Sequence, residues 1–288
     1  MGKSILNVGG YTILRRIGIG ARSTIYLATD EYEETPIALK RVVLERPEDT
    51  RIFEQVETEF KVASRIDHPY IRKCYKLKKI RGMLKVRELL LAMEYFDGQS
   101  LEDGPALSLV DVMLVFRMVA NGLNAMHQHG YVHCDIKPNN ILMDKAGAIR
   151  IIDLGQSCRI GTTKPRIQGT PDYIAPEQVK RKPLGPKTDL FNLGATMYWA
   201  LTGKNIPTLI PKKNQFGILV TPPQEFKAPN ELKPKIPVNL SNLVMECTKE
   251  DPAQRPRNMM AVIEQLDGMI HGLLGSRIRA SRNAASQD

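Results

Sequence analysis

Asp135, Lys137 and Asn140 stand close together in HCDIKPNN (residues 133 to 140), and a second acid, Asp153, follows an apolar run in IIDLG (151 to 155). Carboxylate and amide oxygens of this kind are hard ligands or acceptors, the type Mg²⁺ prefers when it keeps phosphate oxygens and water in its shell. The same residue types also build turns, which accounts for Pro138 and Asn139. A turn does not explain why Asp135 and Lys137 lie beside Asn140 with another Asp after an apolar strand. Cys134, just before Asp135, is a nucleophile, a metal ligand or a bystander. Its neighbour His133 is a poor base for it, because adjacent side chains in extended backbone point to opposite faces. His127, His129 and His133 show neither ligand spacing nor a second cluster for a metal.

Two further features precede these. Glycines at 18 and 20 in GIGARSTIY (18 to 26) let backbone N–H groups approach a phosphate closely, although a GxG alone is as readily a hairpin turn. A Walker loop would need Gly-Lys-Ser/Thr, and a dinucleotide fingerprint would need a helix directly afterwards. In IALK, Lys40 ends an apolar run in a half-buried strand, so its ammonium needs a partner, and Glu59 on the following helical segment is suitable.

The elements that must carry these residues fall into two regimes. Up to about residue 95, YTILRRIGIG, STIYLATD, PIALKRVVL and KLKKIRGMLKVRELLLAMEYF read as an antiparallel sheet. It is interrupted by EQVETEFKVASRI (54 to 66), whose Val56, Phe60, Ala63 and Ile66 recur at helical spacing. From about residue 106 the pattern is mostly helical, and the boundary falls near Phe96, Asp97 and Gly98. Of 288 residues, 42% are hydrophobic and 25% charged, enough apolar material for one large domain or two lobes sharing a cleft. Four separated cysteines without CxxC spacing imply reduced thiols in a cytoplasmic protein. MGKSILNVGG lacks the apolar core of a signal peptide, and Leu6 stands where a myristoylation signal wants Ser or Thr. The most apolar long run, 190 to 203, is too short to span a bilayer and reads as a buried helix. A net charge of +10 is spread over the chain without a nucleic-acid motif, so no nucleic-acid partner is expected.

Taken in order, the Gly-rich loop, strand Lys, helix Glu, HxDxKxxN, DxG and IAPE (174 to 177) resemble the signature of the eukaryotic-type (Hanks-type) serine/threonine protein kinases. The resemblance runs from about Tyr11 to Leu266. HP at 68 and 69, MEYFDGQSL at 93 to 101, TDLFNLG at 188 to 194 and DPAQRP at 251 to 256 strengthen it, and the compact GTPDYIAPEQ segment is similar to bacterial members. It implies an α+β, bilobal protein kinase fold over residues 11–270. The N-lobe (11–93) is a small antiparallel sheet with one main helix, a hinge follows (94–97), and the C-lobe (98–270) is mostly helical; a basic, flexible tail occupies 271–288.

The resemblance also implies roles. Gly18, Ile19, Gly20 and Ala21 would cover the phosphates of ATP, with Ser23 where the family usually has its third glycine. Ile25 and Ala38 would line the adenine pocket, Met93 guard its back, Glu94, Tyr95 and Phe96 form the hinge, and Leu142 the floor. Lys40 would contact the α- and β-phosphates and pair with Glu59. Asp135 would orient the substrate hydroxyl and accept its proton, with Lys137 beside it, while Asn140 and Asp153 would hold Mg²⁺, for which Mn²⁺ can substitute. Lys137 and Thr170 follow the Ser/Thr pattern, so protein Ser or Thr hydroxyls are the expected acceptors. Glu177 with Arg255, and Asp189, would be structural, and Trp199 would pack in the core.

Most such kinases have Arg at the position of Cys134, which pairs with a phosphorylated residue in the activation segment; a neutral thiol cannot do so. Activity is therefore expected to depend little on phosphorylation of Thr162 or Thr163, the candidates with Ser157 in that segment. Ser281, in a basic run, is a further candidate phosphosite. The reading leaves open a nucleotide-binding pseudokinase scaffold, a homodimer, and a stand-alone enzyme against a catalytic fragment of a longer chain.

Overall fold

The computed structural model describes residues 6–20, 22–30, 35–44, 50–82, 85–208, 210, 212–213, 219–220 and 225–285. Strands β1 (Leu6–Val8), β2 (Tyr11–Ile19), β3 (Ser23–Asp30) and β4 (Pro36–Val43) precede helix α1 (Thr50–Ala63), and β5 (Cys74–Arg81) and β6 (Val86–Glu94) follow it. The six strands form one sheet in the order β1-β2-β3-β4-β6-β5, each pair antiparallel. The central strands are the most apolar for a physical reason: Ala38, Leu39, Leu89, Leu90, Leu91 and Met93 sit between two faces that are both covered. The edge strand β5 turns Lys76, Lys78, Lys79 and Arg81 to solvent, a charged rim that discourages pairing with another sheet.

Two local boundaries differ from the sequence reading. β1 lies before the expected start at residue 11; three residues carry too little periodicity to be recognised, and pairing of Leu6 with Ile13 defines them. Helix α1 spans 50–63 rather than 54–66, because Ile52 and Phe53 already pack on the apolar cluster of Ala38, Val56, Leu91 and Met93.

Beyond residues 94–97 come β7 (Gln99–Ser100), α2 (Leu109–Gln128), β8 (Tyr131–Val132), β9 (Ile141–Met143), β10 (Ile149–Ile151), β11 (Cys158–Arg159), α3 (Pro176–Val179) and α4 (Pro186–Thr202). The chain continues through β12 (Lys212–Lys213), β13 (Leu219–Val220), α5 (Pro229–Leu232), α6 (Val238–Cys247) and α7 (Met259–Ala285). Ser108 caps α2, its hydroxyl accepting from the Asp111 N–H at 3.2 Å. Met113, Phe116, Leu123 and Met126 of α2 meet Leu193, Leu243, Val262 and Leu266 in the large core. Helix α2 is the one described helix long and apolar enough to cross a membrane by length and composition, and its apolar residues are accounted for by this packing. Trp199 lies half-buried at the margin of the core rather than within it.

The segment 271–288, expected as a flexible tail, is helical as far as Ala285. Val262, Ile263, Leu266 and Ile270 anchor the first half of α7 in the core. Once nucleated, the helix propagates through Ala-, Arg- and Ser-containing sequence free of proline.

Candidate active site

Lys40 projects from the central strand β4, opposite Leu91 of β6, and Glu59 projects from α1 towards it. The Lys40 Nζ donates to Glu59 Oε2 at 2.7 Å, and the glutamate, 1% exposed, also takes Arg72 at 3.4 Å. Glu57 faces outward and pairs with Lys79 on the edge strand, so the structure separates the two glutamates by helix face. Burial works against the Lys40 charge, but Glu59 and Asp153 outweigh it and hold its pKa above the ordinary lysine range.

Asp153 lies 4.0 Å from Lys40, in left-handed backbone (φ 60°) at the start of a short turn over Leu154–Gln156. Its carboxyl resists burial, yet Lys40, His133, Lys137 and Arg72 together hold it below the usual carboxylate range. Gly155 lets α1 approach this turn: a Cβ there would stand 3.2 Å from both the Cβ and the carbonyl oxygen of Gln55. The helix that carries Glu59 is thus seated on the turn that carries Asp153.

The catalytic-loop candidates converge from one stretch of chain. Asp135 accepts from the Thr170 N–H at 3.1 Å and hydroxyl at 2.8 Å on one oxygen, while Lys137 approaches the other at 3.1 Å. Lys137 also donates to the Thr170 hydroxyl at 2.8 Å. The Asn140 amide donates to the Asp135 carbonyl at 2.8 Å and to its carboxylate at 3.3 Å, which leaves the Asn140 carbonyl oxygen to offer to a cation. Asn140 is itself held by the main chain, with Ile152 N–H donating to its main-chain carbonyl at 2.9 Å and the side-chain Oδ1 left free among the described residues.

The buried carboxylate of Asp189, on α4, supports the loop from beneath, accepting from the N–H groups of His133 at 2.9 Å and Cys134 at 2.8 Å and from His127 Nε2 at 2.8 Å. Desolvation opposes its ionisation, but these donors prevail and depress its pKa. To aim both N–H groups at one carboxylate, the chain turns left-handed at Cys134 (φ 67°), a conformation unusual for a residue with a Cβ. The extended backbone assumed from the sequence therefore does not hold here. His133 and Cys134 still diverge: His133 accepts from the Asp135 N–H through Nδ1 and meets the Ile152 carbonyl through Nε2, whereas Cys134 turns to Cys158. Cys134 is fully buried, and its bond to Cys158 and its burial push the thiol well up, unlike an active nucleophile.

The nucleotide-side candidates come mostly from the strands of the six-stranded sheet. Gly18 pairs with Ile25, and Ile25 packs with Ala38 and Met93. Ile19 is exposed at the end of β2, and Gly20 donates its N–H to the Ser23 carbonyl at 2.7 Å. A Cβ on residue 20 would lie 2.6 Å from the Ser23 hydroxyl, so glycine there makes room for serine at 23. Ala21 lies outside the described residues. Leu142 is half-buried on β9, paired with Ser100. The expected hinge, Glu94 to Phe96, is braced on both sides. Arg150 clasps Glu94 with contacts of 2.7 to 3.0 Å and lies 4.9 Å from the Phe96 ring centroid, and Arg15 reaches the Tyr95 hydroxyl at 3.3 Å.

The donor set fits a nucleotide with Mg²⁺. Among the described residues no group of three or more His, Cys, Asp and Glu forms an all-protein metal cage. One carboxylate and one amide oxygen beside a lysine are what remains for Mg²⁺ when phosphates complete its shell.

Arg72, Arg150, Gln178 and Cys158 were not singled out from the sequence. Arg72 follows the HP dipeptide and carried no spacing signal. Gln178, two residues after the IAPE proline, donates to the carbonyls of Cys134 at 2.8 Å and Gln168 at 3.0 Å, tying the catalytic loop to the segment before Thr170. Within that segment Ser157 is buried, which removes it as an accessible phosphosite in this conformation, while Thr163 is exposed and Thr162 half-buried.

Comparison with known proteins agrees with this fold. Residues 11–266 match the model of the family described as "Protein kinase domain". The serine/threonine-protein kinase PrkC of Bacillus subtilis is 27% identical over 259 residues, covering 86% of this chain and 38% of that protein. The serine/threonine-protein kinase STE20 of Candida glabrata is 31% identical over 253 residues, covering 85% of this chain and 26% of that protein. The chain thus spans less than half the length of either relative. In structure it is similar to the Mycobacterium tuberculosis PknI kinase domain, with a TM-score of 0.68 at 22% identity over 93% of this chain and 99% of that one. The chain belongs to the protein kinase domain family, in its Hanks-type serine/threonine class.

Proposed function

We propose that this chain transfers the γ-phosphoryl group of ATP, with Mg²⁺, to Ser or Thr hydroxyls of protein substrates, and that it does so without needing phosphate on Thr162 or Thr163. The observation that carries the reading is the Asp135–Lys137–Thr170 cluster, already assembled with Lys40 and Glu59 joined at 2.7 Å. In the proposed reaction Asp135 orients the acceptor hydroxyl and takes its proton as the new O–P bond forms, while the bond from the γ-phosphorus to the β,γ-bridging oxygen breaks and ADP leaves. Lys137 offsets negative charge at the transferring group, and Lys40, kept charged by Glu59, offsets it on the α- and β-phosphates. Asn140 and Asp153 would hold Mg²⁺, which when bound would neutralise charge on the phosphate oxygens. Catalysis of this kind is mostly positioning, which the fixed partners of each side chain favour.

Independence from loop phosphorylation is supported by the contacts that order residues 156–185 without a phosphate. β11 pairs with β8, the Gly161 N–H donates to the Leu184 carbonyl at 2.7 Å and the Leu184 N–H to the Thr162 carbonyl at 2.9 Å, Arg181 reaches the Pro165 carbonyl at 3.2 Å, and Gln178 donates to the Cys134 carbonyl. Two results decide the function together: label transfer from γ-labelled ATP to a generic basic protein, and a Mg²⁺-dependent thermal shift with ATP. Transfer to Ser or Thr is expected; a thermal shift without any transfer would make the protein a nucleotide-binding scaffold instead.

A further inference from the structure

Cys134 and Cys158 place their Sγ atoms 3.8 Å apart, one directly before Asp135 and the other in the segment that leads to Thr170. Neither thiol takes part in the proposed transfer. The approach is built by the backbone: β11 runs antiparallel to β8 with Cys158 opposite Val132, and the left-handed turn at Cys134 directs its side chain to that strand. With Val132 and Leu184 the two cysteines form a small apolar cluster separate from the large core.

The two thiols are not equivalent. Cys134 is sealed from solvent, whereas Cys158 is half-buried at the edge of the cluster. The bond from Cys134 lowers the Cys158 pKa; burial and Asp189 oppose this, and Lys164 and Thr162 reinforce it. A partly exposed thiol whose pKa is lowered by a second thiol packed behind it is the arrangement that oxidises selectively and then resolves to a disulfide. Apolar packing alone needs neither the access nor the asymmetry.

We infer that Cys158 and Cys134 are the attacking and resolving thiols of a reversible disulfide, formed by hydrogen peroxide, that ties the activation segment to the catalytic loop. The Cys158 thiolate attacks one peroxide oxygen, the O–O bond breaks, Cys158 becomes a sulfenic acid, and hydroxide leaves as water after taking a proton. Cys134 sulfur then attacks the Cys158 sulfur, the S–O bond breaks, the S–S bond forms, and the departing hydroxyl leaves as water with the Cys134 proton. Two thiols are oxidised by two electrons and one peroxide is reduced to two waters; a dithiol reductant reverses the change. Reversible disulfides of this kind are compatible with a reducing compartment, where those that form are transient and sensing. The link joins the two segments that an arginine and a phosphorylated residue join in the kinases this sequence resembles. It deepens the proposed function by naming a regulator of the same site.

The test treats the reduced full chain with hydrogen peroxide, alkylates the remaining thiols and maps peptides without reduction, a readout that needs no turnover and so fails separately from the kinase assignment. A Cys134–Cys158 linked peptide, lighter by two hydrogens and lost on reduction, is expected, with Cys74 still alkylated. Trypsin should nick the oxidised chain after Arg159 and Arg166 more slowly than the reduced chain. In Cys134→Ser, Cys158 should accumulate as a sulfenic acid trapped by a 1,3-dione, and in Cys158→Ser no such adduct should form at Cys134. A linkage through Cys74, a disulfide between two chains, Cys158 that remains as alkylatable as before, or a Cys134→Ser variant that traps no more dione than wild type would each overturn the inference.

Discussion

Two buried ion pairs divide the molecule's chemistry between them. Lys40–Glu59 joins β4 to α1 in the small lobe, and Glu177–Arg255 joins the start of α3 to the turn before α7 in the large one. Both close at 2.7 to 2.8 Å, and in both the glutamate is nearly sealed from solvent. What differs is how fully the cation is used. Arg255 is 0% exposed, grips Glu177 with two nitrogens at 2.8 and 3.0 Å, and donates further to the carbonyls of Lys187, Lys249 and Glu250. Lys40 is 16% exposed, has one close partner, and faces Asp153 across 4.0 Å. The saturated pair holds backbone in place and has no capacity left for a ligand. The unsaturated one keeps a charge and donors to spare on a partly exposed side chain facing Asp153, the condition for work on a phosphate. An ion pair's burial therefore says little about its purpose until the remaining hydrogen-bonding capacity of each partner is counted.

The comparison breaks most visibly in activity. Asp135→Asn and Lys40→Met should each cost on the order of 10²–10⁴ in transfer rate, with far-ultraviolet circular dichroism unchanged; wild-type-like turnover in either variant would sink the assignment of the unsaturated pair. Next comes stability. Arg255→Ala should cost about 3–5 kcal/mol in a denaturant titration, since it strands Glu177 in the interior. Lys40→Met should cost less, because Arg72 remains beside Glu59; equal losses would erase the distinction drawn between the pairs. A smaller effect sharpens the role of Asp189. Its folded-state pKa is depressed, so its contribution is present above the unfolded value of about 4 and is lost as pH falls through the folded value. The gap in melting temperature between wild type and Asp189→Asn should thus be full near neutrality and narrow in acid, and a gap that is constant with pH would contradict this. The smallest effect is expected from Thr162→Ala combined with Thr163→Ala, which should leave transfer within a factor of about two; a large loss would show that the segment needs its phosphate after all.

Much of the candidate site could be proposed from residue types because the phosphoryl transfer proposed for it demands particular groups at particular intervals along the chain. Asp135, Lys137 and Asn140 are separated by so few residues that any fold able to use them keeps them together. The family resemblance implies Glu59 as the partner of Lys40, and the helix face delivers it there. Contacts across long separations were not legible. Arg72 on Glu59, Arg150 on Glu94 and Gln178 on the Cys134 carbonyl depend on how elements pack, and nothing in their local sequence marks them. The helical course of 271–285 was missed because a polar stretch looks like a tail unless the packed helix before it is seen to continue.

From sequence alone came the family resemblance, the two-regime architecture, the residues proposed for chemistry, and the observation that Cys134 replaces an arginine. Those features are carried by short motifs and hydrophobic periodicity, which are local properties of the chain. Only the tertiary structure decided what Cys134 faces. Asp189, more than fifty residues away, draws two consecutive N–H groups to itself and forces the left-handed turn, and the pairing of β11 with β8 brings the Cys158 thiol to 3.8 Å from that of Cys134. A side chain's direction follows from backbone conformation, and here that conformation is set by a partner distant in sequence.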